Sequence, residues 1–199
     1  MSTELTLKII MLGSSYAGKR KILQKYFNND FVINEFFQNI GYDFYPKFFK
    51  FEGKKIKVNY IDTASQENFR SISINYLKGT DGAIFVFDIT QRETFELLDG
   101  WLCDIKENNQ VDISKILIGN NSDLSDKREV QKEEAEKLAE NYKCKYFEVS
   151  TKTGENINEA IDEITRITYL NNKDKIKDDE DKDNIILEKE IKTNKKKCL

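Results

Sequence analysis

Residues Gly13 to Lys19 read G-S-S-Y-A-G-K, two glycines with four residues between them and a lysine directly after the second. That spacing suits a polyphosphate. Glycines let successive backbone N–H groups wrap a phosphate chain, a helix opening at the lysine adds the positive end of its dipole, and the Lys19 ammonium reaches the terminal phosphates. The candidate phosphate ligands are Gly13, Ser14, Ser15, Tyr16, Ala17, Gly18 and Lys19. Taken alone, the same pattern also fits a plain strand-turn-helix connection. Much other chemistry is excluded. The chain contains no histidine, which removes Ser/His/Asp triads, histidine metal sites and H-E-x-x-H proteases together. Cys103, Cys144 and Cys198 are scattered without a C-x-x-C pair, so neither a zinc ribbon nor a disulfide framework is indicated and a reducing cytosolic compartment fits.

A phosphate loop needs a strand before it and a helix after it. Leu5 to Leu12 is rich in Ile and Leu and runs straight into Gly13, the pattern of a buried strand feeding a turn, and a helix is expected from Lys19 to about Phe27. Phe44 to Glu52 and Lys54 to Ile61 alternate in polarity around Gly53 and predict a hairpin with Asp62 at a strand end. Pro46 is expected at the start of a strand, where a missing donor is tolerated. Gly82 to Asp88, Lys115 to Asn120 and Cys144 to Val149 are short apolar β-rich runs. Between and after them, Arg92 to Asn108, Gln131 to Asn141 and Glu155 to Leu170 carry apolar residues at helical spacing. Alternating strands and helices imply an α/β fold, a six-stranded, mostly parallel sheet with helices on both faces and one antiparallel edge hairpin.

At 199 residues, 39% hydrophobic and 34% charged, the chain is long enough for one domain with a full core and a solvated extension. A formal charge of -3 shows no basic surplus, so nucleic acid is not an expected partner. Met1 to Leu7 lacks the features of a secretory leader, Ser2 stands where N-myristoylation needs glycine, and no run approaches the roughly 18 apolar residues that span a bilayer.

A second group of residues carries a family resemblance. Asp62-Thr63-Ala64-Ser65-Gln66-Glu67-Asn68-Phe69-Arg70-Ser71, Tyr76 to Ala83 running into Val86-Phe87-Asp88-Ile89-Thr90, and Ile40, Gly41, Asp43 and Phe44 resemble, in order, segments of the Rab-type small GTPases. The likeness covers roughly residues 5 to 170. It implies a P-loop NTPase fold that binds GTP or GDP, with a small GTPase domain over 1–170 and a disordered hypervariable tail over 171–199. Asn120 and Asp123 in G-N-N-S-D-L resemble the N-K-x-D element, whose Asp carboxylate accepts two hydrogen bonds from the guanine edge. Ser150, Thr151 and Lys152 resemble the S-A-K element whose backbone N–H meets the guanine oxygen. Gln66 occupies the position of the water-orienting glutamine, and Asp62 that of an outer-sphere magnesium carboxylate. Switch segments are implied at about 34–44 and 62–77, recognised by effectors, an exchange factor and an activating protein.

Departures from the family pattern cluster around the same ligand. Arg20 stands where P-loop NTPases place the Ser or Thr that binds magnesium, and a guanidinium has no acceptor to offer a cation. Two outcomes are open for it: a fixed charge beside the β-phosphate that weakens metal dependence, or a side chain in solvent and reduced affinity. Asn39 falls at the switch I threonine and offers only an amide oxygen as a metal ligand, Ser65 replaces a glycine near the γ-phosphate, and Asn121 replaces the lysine that covers the base. Phe31 is a candidate for stacking on guanine, with a core aromatic as the alternative. The resemblance therefore implies a slow hydrolytic switch of vesicle traffic, a nucleotide binder that hardly hydrolyses, or a nucleotide-free partner-binding pseudo-GTPase. Lys195-Lys196-Lys197-Cys198 resembles a polybasic, prenylated Rab ending, with Cys198 the candidate lipid site and an unmodified tail the alternative. A monomer in the cytoplasm, peripheral on the cytosolic face of endomembranes, is expected.

Overall fold

The computed structural model describes residues 5–27, 43–62, 79–107 and 113–174. Strand β1 (Thr6–Leu12) leads into helix α1 (Lys19–Tyr26), and β2 (Asp43–Phe51) turns back into β3 (Lys54–Asp62). Strand β4 (Gly82–Asp88), helix α2 (Arg92–Glu107), β5 (Ser114–Asn120), α3 (Lys132–Asn141), β6 (Lys145–Val149) and α4 (Ile157–Asn172) follow. The six strands form one sheet in the order β2-β3-β1-β4-β5-β6. Among the described strands only the β2–β3 pair is antiparallel.

Side-chain alternation explains why the central strands read as continuous apolar runs. Leu7, Ile9 and Met11 of β1 join a core with Ile22 and Leu23 of α1 and Ile161 and Ile164 of α4. Ile10 and Leu12 face the other way, into a core with Phe85 and Phe87 of β4, Leu98 and Leu102 of α2, and Ala135 and Ala139 of α3. A strand covered on both sides needs an apolar residue at every position, and all seven residues of β4 are buried. Each fully buried Leu, Ile or Phe contributes roughly 1.5–3 kcal/mol. Beneath α4, the Tyr60 and Thr165 hydroxyls lie 2.5 Å apart, and Tyr26 donates to Asp162 at 2.6 Å, fastening α1 and β3 to that helix.

The β2–β3 turn uses positive φ at Glu52 (49°) and Gly53 (83°), the geometry of a type I′ hairpin. Pro46 is not at a strand start. It is the fourth residue of β2, opposite Asn59, and is tolerated because β2 is an edge strand. The last helix begins at Ile157 rather than Glu155, because Gly154 and Asn156 take left-handed φ of 88° and 56°, and it continues to Asn172, past the boundary expected at Leu170.

Parallel strands end together, and that gathers the site. Met11 is in register with Asp62, Asp88 with Asn120, and Asn120 with Val149. Gly13, Asp62, Asp88, Asn120 and Ser150 consequently line one carboxyl edge, where the chain crosses from β3 over β1 to β4. This is the crevice in which open α/β sheets bind ligands.

Candidate functional site

The phosphate loop is held closed from inside. Ser14 precedes a short 3-10 turn over Ser15–Ala17, its hydroxyl accepting from the Tyr16 N–H at 3.4 Å, and Gly18 at φ 86° redirects the chain into α1. Lys19, 4% exposed, donates from Nζ to the Gly13 carbonyl at 2.7 Å and the Ser14 carbonyl at 3.0 Å. The loop is thus wound around its own lysine. Asn120 props it from β5, its Nδ2 donating to the Ala17 carbonyl at 3.0 Å. Tyr16 projects outward, 78% exposed.

Burial lowers the Lys19 ammonium to about 8, with the Asp62 carboxylate opposing the shift. The sign of the consequence follows. Below pH 8 the lysine is charged in the free protein and phosphate binding is at full strength. Above it, binding must first take up a proton, so affinity for a nucleotide should fall with rising pH, approaching tenfold per unit between about 8 and 10. The unfolded lysine holds its proton longer, so the ligand-free fold should gain stability over the same window. Fluorescence titration of a labelled nucleotide across this range would show a flat affinity if Lys19 made no phosphate contact.

A second cluster builds on β5 and β6. Asp123 accepts from the Ser150 hydroxyl at 2.6 Å and lies 3.7 Å from the Lys152 ammonium. The Ser150 hydrogen bond, aided by Lys152, holds its carboxyl below the usual range. The Ser150 N–H is already spent on the Glu155 carbonyl at 3.2 Å, so the backbone left to face a ligand is that of Thr151 and Lys152. A cavity of about 490 Å³ opens here, bordered by Asn121, Asp123, Leu124, Thr151 and Lys152 on one side and Lys21, Gln24 and Lys25 of α1 on the other. Its size is within the roughly 300–1,000 Å³ usual for small-molecule pockets.

The comparisons with known proteins converge with this geometry. The model of the Ras family matches residues 8–169. Ras-related protein Rab-13 of Bos taurus is 38% identical over 163 residues, 82% of this chain and 80% of the relative. Ras-related protein Rab-8B of Homo sapiens is 38% identical over 168 residues, 83% of this chain and 81% of the relative. The chain belongs to the Ras family of small GTPases, in its Rab branch.

Rab proteins in general bind GTP or GDP, and the carboxyl edge of this sheet gathers the candidate residues for such a ligand: Gly13 to Arg20, Asp62 and Asn120 around the loop, Asn121, Asp123, Thr151 and Lys152 around the cavity, and Ser150 against Asp123. Phe31, Asn39, Ser65, Gln66 and Cys198, with most of both switch segments, lie outside the described residues. Two acidic residues had drawn no role in the sequence reading. Asp88, 3% exposed, accepts from the Thr90 N–H and hydroxyl at 2.8 and 2.7 Å and from Asn121 Nδ2 at 2.7 Å, so Asn121 is tied to the loop after β4. The signal was there, because a carboxylate closing a fully buried strand must find donors.

Asp43 is the other. Period-two alternation puts Asp43 and Tyr45 of β2 opposite Asp62 and Tyr60 of β3, all four side chains buried. Arg20 Nη2 pairs with Asp43 Oδ2, and its Nε lies 3.6 Å from Asp62 Oδ2. Burial raises the Asp62 pKa while Lys19 and Arg20 pull it down. Rab proteins in general bind magnesium beside the phosphates, but the donor set among the described residues of this chain does not fit that ion. The hydroxyl ligand is replaced by a group with no lone pair, and both nearby carboxylates are engaged by it. Asp62 Oδ1 is buried without a hydrogen-bond partner, and one such oxygen beside a guanidinium makes no octahedral oxygen shell. Arg20 is thus held against Asp43 and Asp62, with 48% of its side-chain surface exposed.

Proposed function

We propose that this Rab-family chain is a guanine-nucleotide-dependent switch of vesicle-mediated membrane traffic that hydrolyses GTP slowly. One observation carries the reading: the Lys19 loop and the Asp123–Ser150 pair stand on the same sheet edge, with the cavity between α1 and the Asp123 loop. Phosphate is taken by the loop amides and Lys19, and the guanine edge by Asp123, whose two oxygens suit the paired N–H donors of guanine and not adenine. Ser150 and Lys152 keep that carboxylate ionised and aimed.

For hydrolysis, Gln66 orients the attacking water and Lys19 stabilises charge on the transferred phosphate. Segments about 34–44 and 62–77 respond to the γ-phosphate through Asn39 and Ser65, presenting a surface to effectors, an exchange factor and an activating protein. The monomer reaches anionic endomembranes through Lys195 to Lys197 and a lipid on Cys198. No helix among the described residues is long and apolar enough to cross a membrane. The Arg20 pairing favours a second reading, a nucleotide binder with almost no turnover, in which partner binding is the whole function.

The test begins with the nucleotide released from purified protein and continues with single-turnover hydrolysis of bound GTP. Guanine nucleotide near one equivalent is expected, with Gln66→Leu slowing hydrolysis by at least about tenfold. Undetectable turnover in the parent chain would leave the binder reading. An empty site without measurable guanine affinity would overturn both.

A further inference from the structure

Arg20 is the second residue of α1, directly after the phosphate-loop lysine, so the helix that aims Lys19 also fixes the root of Arg20. Beneath it, Asp43 and Asp62 are register partners across the antiparallel pair β2–β3, on the sheet face that α1 covers. They are 7% and 2% exposed. Carboxylates directly opposite one another on one face repel, and burial deepens the cost, so this position demands a cation. The chain supplies it: Arg20 binds Asp43 through Nη2 and reaches Asp62 through Nε, while 48% of its side-chain surface stays open at the mouth of the site. A divalent ion placed there would compete with the guanidinium for the same two carboxylates and would be repelled by it.

Resting on the guanine-nucleotide reading above, we infer that Arg20 is a resident cation occupying the place of the divalent metal, so that this chain holds guanine nucleotide without a metal ion. Asp43 and Asp62 are its anchors, acting on the nucleotide only through Arg20. Three further properties follow. Chelators should not strip nucleotide from the protein, added magnesium should not slow its release, and replacing the guanidinium by a hydroxyl should create a metal requirement that the parent chain lacks.

The experiment measures release of a fluorescent guanosine diphosphate from the full chain, in excess magnesium and in excess EDTA. For the parent protein the two rates are expected to agree within about threefold, because the chelator finds no bound metal ion to remove. For Arg20→Thr, which restores an oxygen ligand and frees both carboxylates, EDTA should accelerate release by about tenfold or more. Asp43→Asn should weaken nucleotide binding and leave it insensitive to EDTA, since the guanidinium remains. Thermal unfolding of the nucleotide-free proteins gives a second readout: magnesium should raise the midpoint of Arg20→Thr and leave the parent unchanged. If EDTA speeds release from the parent protein tenfold, the inference is wrong, whether or not Arg20→Thr folds. If the parent retains no guanine nucleotide in either condition, the guanine reading itself has failed, and the absence of any fluorescent complex distinguishes that result.

Discussion

Asp123→Asn is expected to lower affinity for guanine nucleotides by about a thousandfold while leaving the fold intact, because hydrogen bonds to a charged acceptor contribute roughly 1.5–3 kcal/mol each and two are at stake. The asparagine Oδ1 can still accept from the Ser150 hydroxyl, which now meets Asp123 at 2.6 Å, so the loop keeps its anchor. The ion pair with Lys152, at 3.7 Å and with the lysine 78% exposed, is of little consequence for stability. What changes is the pattern offered to the base. A carboxylate presents two acceptors to the two adjacent N–H donors of guanine, whereas an amide presents one acceptor and one donor, and the donor faces an amine. Xanthine carries a carbonyl where guanine carries that amine, so the variant should prefer xanthosine over guanosine diphosphate. Calorimetric titration with both nucleotides, beside thermal unfolding, tests this; undiminished guanosine affinity would remove Asp123 from base recognition.

Gly13→Ala should cost at least about 3 kcal/mol of stability, since overpacking against immovable backbone is among the largest single-residue penalties. A Cβ at this position would lie 2.1 Å from the Val86 carbonyl oxygen, and the residue holds φ at 141°, where side chains are strained. Neither side can yield, because Leu12 and Phe85 are paired in the parallel ladder at the centre of the sheet. Gly53→Ala supplies the contrast. Nothing lies within 4 Å of its added methyl, although φ is 83°, so only the backbone strain of about 1 kcal/mol remains. Urea unfolding of the two variants separates them, and equal losses would mean that the approach of Gly13 to β4 is not a constraint. Nucleotide affinity should fall in Gly13→Ala as well, because the displaced carbonyl is an acceptor for Lys19.

The fold was legible because its signals are local. Apolar runs such as Gly82–Asp88 and helical periodicity such as Phe95, Leu98 and Leu102 mark elements whose burial the structure reproduces on the two faces of the sheet. Boundaries shifted where one backbone angle decides them, as at Asn156, since propensity does not report φ. Pro46 was misplaced for another reason: whether a strand tolerates proline depends on its being an edge, which is a property of the whole sheet.

By itself, the sequence determined the doubly covered sheet and the loop from Gly13 to Lys19, and its family resemblance singled out Asn120 and Asp123 as candidates for reading guanine and Arg20 as a departure from the family's hydroxyl. Those statements concern residue types at short spacings. Only the tertiary structure decided what Arg20 does. Asp43 and Asp62 are remote from it in sequence and become neighbours through antiparallel register, alternation and the placement of α1 over that face. The same holds for Asp88, which anchors Asn121, and for Ser150, whose hydroxyl holds Asp123 while its N–H is spent on Glu155. A side chain's partner is set by which long-range surfaces meet, and a linear pattern carries the residue but not the meeting.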